Sequence, residues 1–145
     1  MTHADQLLRA AYLATAYRVT SSPLGPFEIR CGGISTTLDA LLDAAGCEAW
    51  AFISACNPGS VLLEAEVNRR RHAALLAEVR QRGLTVHPGL GNGDAGDWPP
   101  EESLLVLGLD ETAAVALGHR FGQRAIVVGT RGTAARLVWI DPPLP

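Results

Sequence analysis

The sequence predicts an α+β fold, and three observations carry that prediction. Short apolar stretches with strand character alternate with two amphipathic helical stretches, in the order strand, helix, strand, strand, helix, strand between Glu48 and Gly129. The chain has 145 residues, 48% hydrophobic and 19% charged, which suits one globular core without a disulfide or metal staple. No repeat, low-complexity tract or linker divides it, so residues 1–145 read as a single domain.

Along the chain, Leu7, Leu8, Ala11, Tyr12 and Thr15 fall at helical spacing and predict a first helix from Ala4 to about Ala16. Tyr17 and Val19, then Phe27, Ile29 and Cys31, alternate as strands do around a Ser-Ser-Pro-Leu-Gly-Pro loop. Ser35 or Thr36 caps a second helix whose stripe is Leu38, Leu41, Leu42 and Ala45, with Gly46 as its stop. Residues 1–46 thus form an α-β-β-α extension ahead of the rest.

Glu48 to Ala55 reads as a buried strand, and Asn57-Pro58-Gly59-Ser60 as a turn whose serine caps a long helix from Val61 to about Arg82. Gly83 stops it. Leu84 to Pro88 is a strand; Gly89 to Pro100 is a glycine-rich loop, either a lid or disordered; Ser103 to Leu109 is a strand. Asp110 caps a helix ending near Phe121, Arg124 to Gly129 is the next strand, and an extra strand follows within 133–140. Residues 48–130 therefore carry the split β-α-β order of ferredoxin-like domains, with an N-terminal helix and hairpin before it.

Charge and motif chemistry narrow the function. All 12 basic residues are arginine, 15 are acidic, and the net charge is −3. That excludes lysine Schiff bases and phosphate-loop lysines, and gives no general attraction to nucleic acid or to an anionic membrane. The strand Leu104-Leu105-Val106-Leu107 also lacks the stacking aromatics of an RNA-binding sheet. Three cysteines without C-x-x-C spacing predict a reduced, cytoplasmic protein, with no metal site and no cofactor. Asp5 and Arg9 interrupt what a signal peptide would need, and no span of membrane length is present. Gly91-Asn92-Gly93-Asp94-Ala95-Gly96 matches the letters of a dinucleotide fingerprint, but the Asp97-Trp98-Pro99-Pro100 that follows cannot open the required helix.

On the long helix, Asn68 and His72 share a face with Leu75 and Val79, so both need partners inside the fold. Arg69, Arg70 and Arg71 fan about 100° apart and read mostly as a solvated face. Glu101 and Glu102 are adjacent and point to opposite faces of a strand. Cys56, just before a turn, reads as a packed thiol or a nucleophile.

In the ferredoxin-like order Asn57, His87, Glu101 to Ser103, Gln123 and Arg124 all come to one end of the sheet, together with the Ser60-capped helix terminus. A small polar or anionic ligand could sit there, held by Arg124 and read by Asn57 and Gln123, or these residues simply organise turns. If that end is catalytic, general acid–base work by Glu102 or His87 is the expected chemistry. The alternative is an interaction module, such as a homodimer pairing through the final hairpin, Ala125 to Ile140, without catalysis.

The segments Ala11-Tyr12-Leu13-Ala14-Thr15-Ala16-Tyr17, Ile53-Ser54-Ala55-Cys56-Asn57-Pro58, Trp98-Pro99-Pro100-Glu101-Glu102-Ser103 and Phe121-Gly122-Gln123-Arg124-Ala125, in this order and spacing, resemble the short bacterial proteins grouped as domain of unknown function 3293. The resemblance implies no activity, substrate or cofactor. It marks Tyr12, Thr15, Tyr17, Asn57, Asn68, Glu102 and Gln123 as motif positions, so that Tyr12, Thr15, Tyr17 and Asn68 join the candidate ligand-binding residues. The family pattern prefers asparagine where this chain has Arg124 and an aromatic where it has Cys56.

Overall fold

In the computed structural model, which describes residues 2–93 and 99–140, the chain is α+β. Four helices accompany one seven-stranded antiparallel sheet among the described residues. None of these helices is long and apolar enough to cross a membrane.

Helix α1 (His3–Leu13) is opened by a capping box, in which Thr2 and Asp5 bond each other's backbone N–H. It stops earlier than its alanine-rich sequence predicts. Thr15 already begins β1 (Thr15–Val19), which pairs with residues far along the chain, and that pairing overrides local helix propensity. β2 (Phe27–Ile29) forms a hairpin with β1. Ser35 caps α2 (Thr36–Ala45), and Gly46 closes it in the left-handed conformation.

β3 (Ala49–Ser54) occupies the middle of the sheet, and the α3 that follows (Ala65–Gln81) begins later than expected. Ser60 does not cap it. Val61 is extended, φ −103° and ψ 122°, so no helix starts there, and Glu64 is the residue that precedes the first turn. β4 (Thr85–Gly93) runs past Pro88 and takes in the first part of the expected glycine loop, whereas 94–98 lie outside the described residues, as does the tail after Ile140. β5 (Glu101–Leu107), α4 (Glu111–Arg120) with its Asp110 cap, β6 (Ala125–Thr130) and β7 (Arg136–Trp139) complete the chain.

The strands lie in the order β2-β1-β4-β5-β3-β6-β7. Because side chains alternate along a strand, the central strands feed two cores. Ala51, Ile53, Leu104, Val106, Ile126 and Val128 pack against Leu75 and Val79 of α3 and Leu117 of α4. Trp50, Phe52, Leu105, Leu107 and Val127 face the other way and meet Tyr17, Val19 and the stripe of α2, Leu38, Leu41 and Leu42. The sheet curls around this second core. The Gly32 N–H donates to Ala135 O at 2.8 Å and the Ala135 N–H to Gly33 O at 2.9 Å, so the chain beyond β2 touches the chain ahead of β7. The curl brings backbones close: a Cβ on Gly89 would stand 2.7 Å from the Phe52 ring.

Candidate functional site

Asn57 follows β3 in the left-handed conformation, φ 48° and ψ 60°, which asparagine tolerates better than most residues. Gly59 and Ser60 also have positive φ, which glycine adopts freely, so Asn57 and Ser60 are the two residues of this turn in a sparsely populated region. Such a backbone persists only where its surroundings over-determine it. Here they do. Asn57 is 5% exposed, its Oδ1 accepts from the Leu63 N–H at 2.9 Å and from Asn68 Nδ2 at 2.8 Å, and Asn68 Oδ1 accepts from the Asn57 N–H at 2.9 Å. The Asn68 amide thus pairs with Asn57 as a second peptide group would, from the first turns of α3.

The far side of the turn is latched as firmly. Gln123, 6% exposed, donates from Nε2 to Cys56 O at 3.1 Å and to Phe121 O at 3.3 Å. Arg71 donates from Nε to Ala55 O at 2.7 Å and from Nη2 to Phe121 O at 2.6 Å, and the Gly59 N–H reaches Gly122 O at 2.7 Å. Gly122 has φ 71°, and a Cβ there would lie 2.6 Å from Pro58 Cβ, so only glycine lets the two loops meet. Arg71 is the arginine that the fanned reading of the helix misses. Its signal was present, since Asn68, Arg71, His72 and Leu75 share one helix face by three-and-four spacing.

The two glutamates separate as adjacent strand residues must. Asn57 Nδ2 donates to Glu101 Oε2 at 2.6 Å, whereas Glu102 reaches His72 Nε2 at 3.4 Å across the α3 side of the sheet. His72 Nδ1 is buried without a hydrogen-bond partner among the described residues. His87 is not at the sheet end. β4 continues beyond it, the register sets it opposite Leu105, and Glu102 stands opposite Leu90. Positions 87 and 90 alternate to opposite faces, so the strand does not bring His87 and Glu102 together as an acid–base pair. Burial pushes the His87 imidazole below the ordinary histidine range. The Cys56 thiol is buried, donates to Glu102 O at 3.6 Å, and is pushed up by burial, the reverse of what a nucleophilic thiolate needs.

Above this turn lies α1, which contributes no buried residue. Tyr12 stacks edge-on against Trp139, with ring centroids 6.1 Å apart, and its hydroxyl stands 3.4 Å from Ser60 Oγ. Tyr17, on β1, donates its hydroxyl to Tyr12 O at 2.7 Å, and Thr15 donates to Ala11 O at 2.8 Å, so both fasten the end of α1 to the strand after it. Burial raises the pKa of both tyrosines. Arg124 Nη1 meets Asp5 Oδ1 at 3.4 Å, while Arg124 Nε is buried with no hydrogen-bond partner among the described residues. Asp5 and Trp139 are the members of this cluster that the sequence reading does not bring to this end of the sheet.

A cavity of about 160 Å3 lies at the opposite end of the sheet, lined by residues that include Ile29, Arg30, Ser35, Leu38, Trp50 and Thr133. It is smaller than the roughly 300 Å3 at which ligand pockets begin. The Asp39 carboxylate on its wall already accepts the Gly132 N–H at 2.9 Å.

Neither a curated protein nor a solved structure matches the chain. A family model described as "Protein of unknown function (DUF3293)" matches residues 53–126, from within β3 to the start of β6, and so takes in the Asn57 turn, Asn68, both glutamates and Gln123. Because that span is half of the chain, the protein belongs to the DUF3293 family.

Proposed function

We propose that the end of the sheet beneath α1 binds a small molecule carrying an anionic group, most simply a carboxylate, with Arg124 as its anchor. The observation that carries this reading is the buried Nε of Arg124, which has no hydrogen-bond partner among the described residues, beside an Nη1 whose contact with Asp5 is long at 3.4 Å. Buried polar groups are nearly always hydrogen-bonded, and a guanidinium edge is shaped to take both oxygens of one carboxylate. Asp5 then stands in for the ligand's anion while the site is empty. α1 is the part that moves aside, because it has no buried residue and its polar ties here are side-chain contacts through Tyr12, Tyr17 and Asp5. Asn57, Asn68 and Gln123 act one layer down, as the fixed floor.

A ferredoxin-like core over 48–130 is supported by the order β4-β5-β3-β6 with every neighbour antiparallel and a helix in each crossover. Against a dimer through the final hairpin stands the contact of Gly32 and Gly33 with Ala135, which leaves only the four residues of β7 as a pairing edge.

The test is thermal stability and calorimetric titration with glutarate, L-glutamate and inorganic phosphate, on the natural protein and on Arg124→Gln. A ligand at ten times its Kd stabilises by about 1.4 kcal/mol, roughly 4 °C in a chain of this size. The expected result is such a shift for at least one anion, lost in Arg124→Gln. No shift with any of them, or equal shifts in both proteins, overturns the reading.

A further inference from the structure

We infer that the ligand of this site carries an aliphatic chain behind its anionic group, which makes it an amphiphilic carboxylate of the fatty-acid type. The inference rests on the anion-binding reading above and deepens it. Val61 and Leu62, next to each other on the chain, are 62% and 55% exposed, and Leu13 at the end of α1 is 44% exposed. Single apolar side chains on a surface need no explanation, but these three stand together. The Tyr12 hydroxyl lies 3.4 Å from Ser60 Oγ, so Leu13 and Val61 each follow directly on one half of that contact.

Backbone bonds tie the aliphatic pair to Arg124. The Gly59 N–H reaches Gly122 O at 2.7 Å, so Val61 lies two residues beyond one end of that bond and Arg124 two residues beyond the other. Each two-residue step spans at most about 7 Å, which puts the pair and the guanidinium within the length of one elongated small molecule. Nor do Val61 and Leu62 belong to a loose loop. The Ser60 N–H bonds Asn57 O at 2.9 Å, the Val61 N–H bonds Pro58 O at 3.3 Å, and the Leu63 N–H bonds Asn57 Oδ1 at 2.9 Å, so the buried turn fixes this segment. It keeps two large apolar side chains in water, where they add nothing to the stability of the fold. On the other side, Trp139 stands edge-on to Tyr12, and the Ile140 N–H bonds Arg124 O at 2.8 Å, so an aromatic residue neighbours the same arginine on the adjacent strand. A short carboxylate would use the arginine and leave this apolar surface wet. An alkyl chain behind the carboxylate covers it.

The experiment titrates the natural protein with butyrate, hexanoate and octanoate, and with 1-octanol, by calorimetry at concentrations below micelle formation. A methylene that becomes fully buried strengthens binding by up to about four-fold, and one half-covered on an open surface by about two-fold. Octanoate should therefore bind ten-fold or more tightly than butyrate, with hexanoate between them, and ten-fold or more tightly than 1-octanol. In the double variant Val61→Ser, Leu62→Ser the preference for octanoate over butyrate should fall to within three-fold. If butyrate and octanoate bind alike, or if the double variant keeps the ten-fold preference, the inference is overturned while the anion site stands. If 1-octanol binds as tightly as octanoate, the chain binds without the anchor and the inference is overturned as well. If none of the carboxylates binds, both readings fail together. Because the comparison of ligands on the natural protein decides by itself, a poorly folded double variant would not spare the inference.

Discussion

The turn at Asn57 and helix α1 meet at the same end of the sheet but are held in opposite ways. The turn is buried, left-handed at three residues, and tied by Asn68, Arg71 and Gln123 to α3 and to the loop before β6. α1 buries nothing, leaves Leu7 61% and Leu13 44% exposed, and touches the sheet end through one ring pair and a few side-chain polar contacts. Buried, mutually satisfied amides rigidify a structure, because each lost partner leaves a costly orphan; exposed contacts are screened and individually weak. The difference teaches where a ligand would act: on the part that can yield, against the part that cannot.

The largest effect should come from breaking the rigid side. Asn68→Ala removes the partner of both the backbone and the side chain of Asn57, and is expected to destabilise the protein by about 3 kcal/mol, each orphaned group contributing roughly 1–3. Urea unfolding measures it, and a loss under 1 kcal/mol would mean that the turn is not held as described. Gly122→Ala comes next. A side chain in the left-handed region costs roughly 1–2 kcal/mol, and the Cβ collides with Pro58, so about 2 kcal/mol is expected in the same assay.

On the yielding side the effects are smaller and fall on binding. Asp5→Asn removes the carboxylate that occupies Arg124 and should tighten the binding of glutarate or L-glutamate about three-fold by calorimetry, with little change in the urea midpoint. Unchanged or weaker binding would remove Asp5 as a stand-in for the ligand. The smallest effect is local and depends on pH. The side-chain and backbone bonds with Thr2 hold the Asp5 carboxyl below its ordinary value, so the contribution of Asp5 to docking α1 is present above about pH 4 and is lost as pH falls through the lowered value. The protection factors of the α1 amides, that is, exchange corrected for its intrinsic slowing with falling pH, should therefore drop as pH falls below about 4, ahead of those of β3, and Asp5→Asn should show the lower protection already at neutral pH.

How much of this was legible in the sequence depends on the range of the cause. The caps at Ser35 and Asp110 and the stops at Gly46 and Gly83 lie within a few residues of what they terminate, and all four stand where they were expected. The opposite directions of Glu101 and Glu102 follow from strand geometry alone, but which of them meets Asn57 does not. The 100° fan of Arg69, Arg70 and Arg71 reads mostly as a solvated face, yet Arg71 points inward. Its acceptors, Ala55 O and Phe121 O, are 16 and 50 residues away.

By itself, then, the sequence determined the α+β class, most helix boundaries, the alternation along the strands, and, His87 apart, the polar residues gathered at one end of the sheet. Period and capping act over three or four residues, and a reader of the chain sees all of the atoms involved. Only the tertiary structure decided that α3 waits until Ala65, that β4 carries His87 into mid-strand, that the sheet curls until Gly33 meets Ala135, and that Arg124 answers to Asp5. Each of those turns on partners between 11 and 119 residues apart, where the free energy of a long-range contact outweighs a local preference worth less than about 1 kcal/mol per residue.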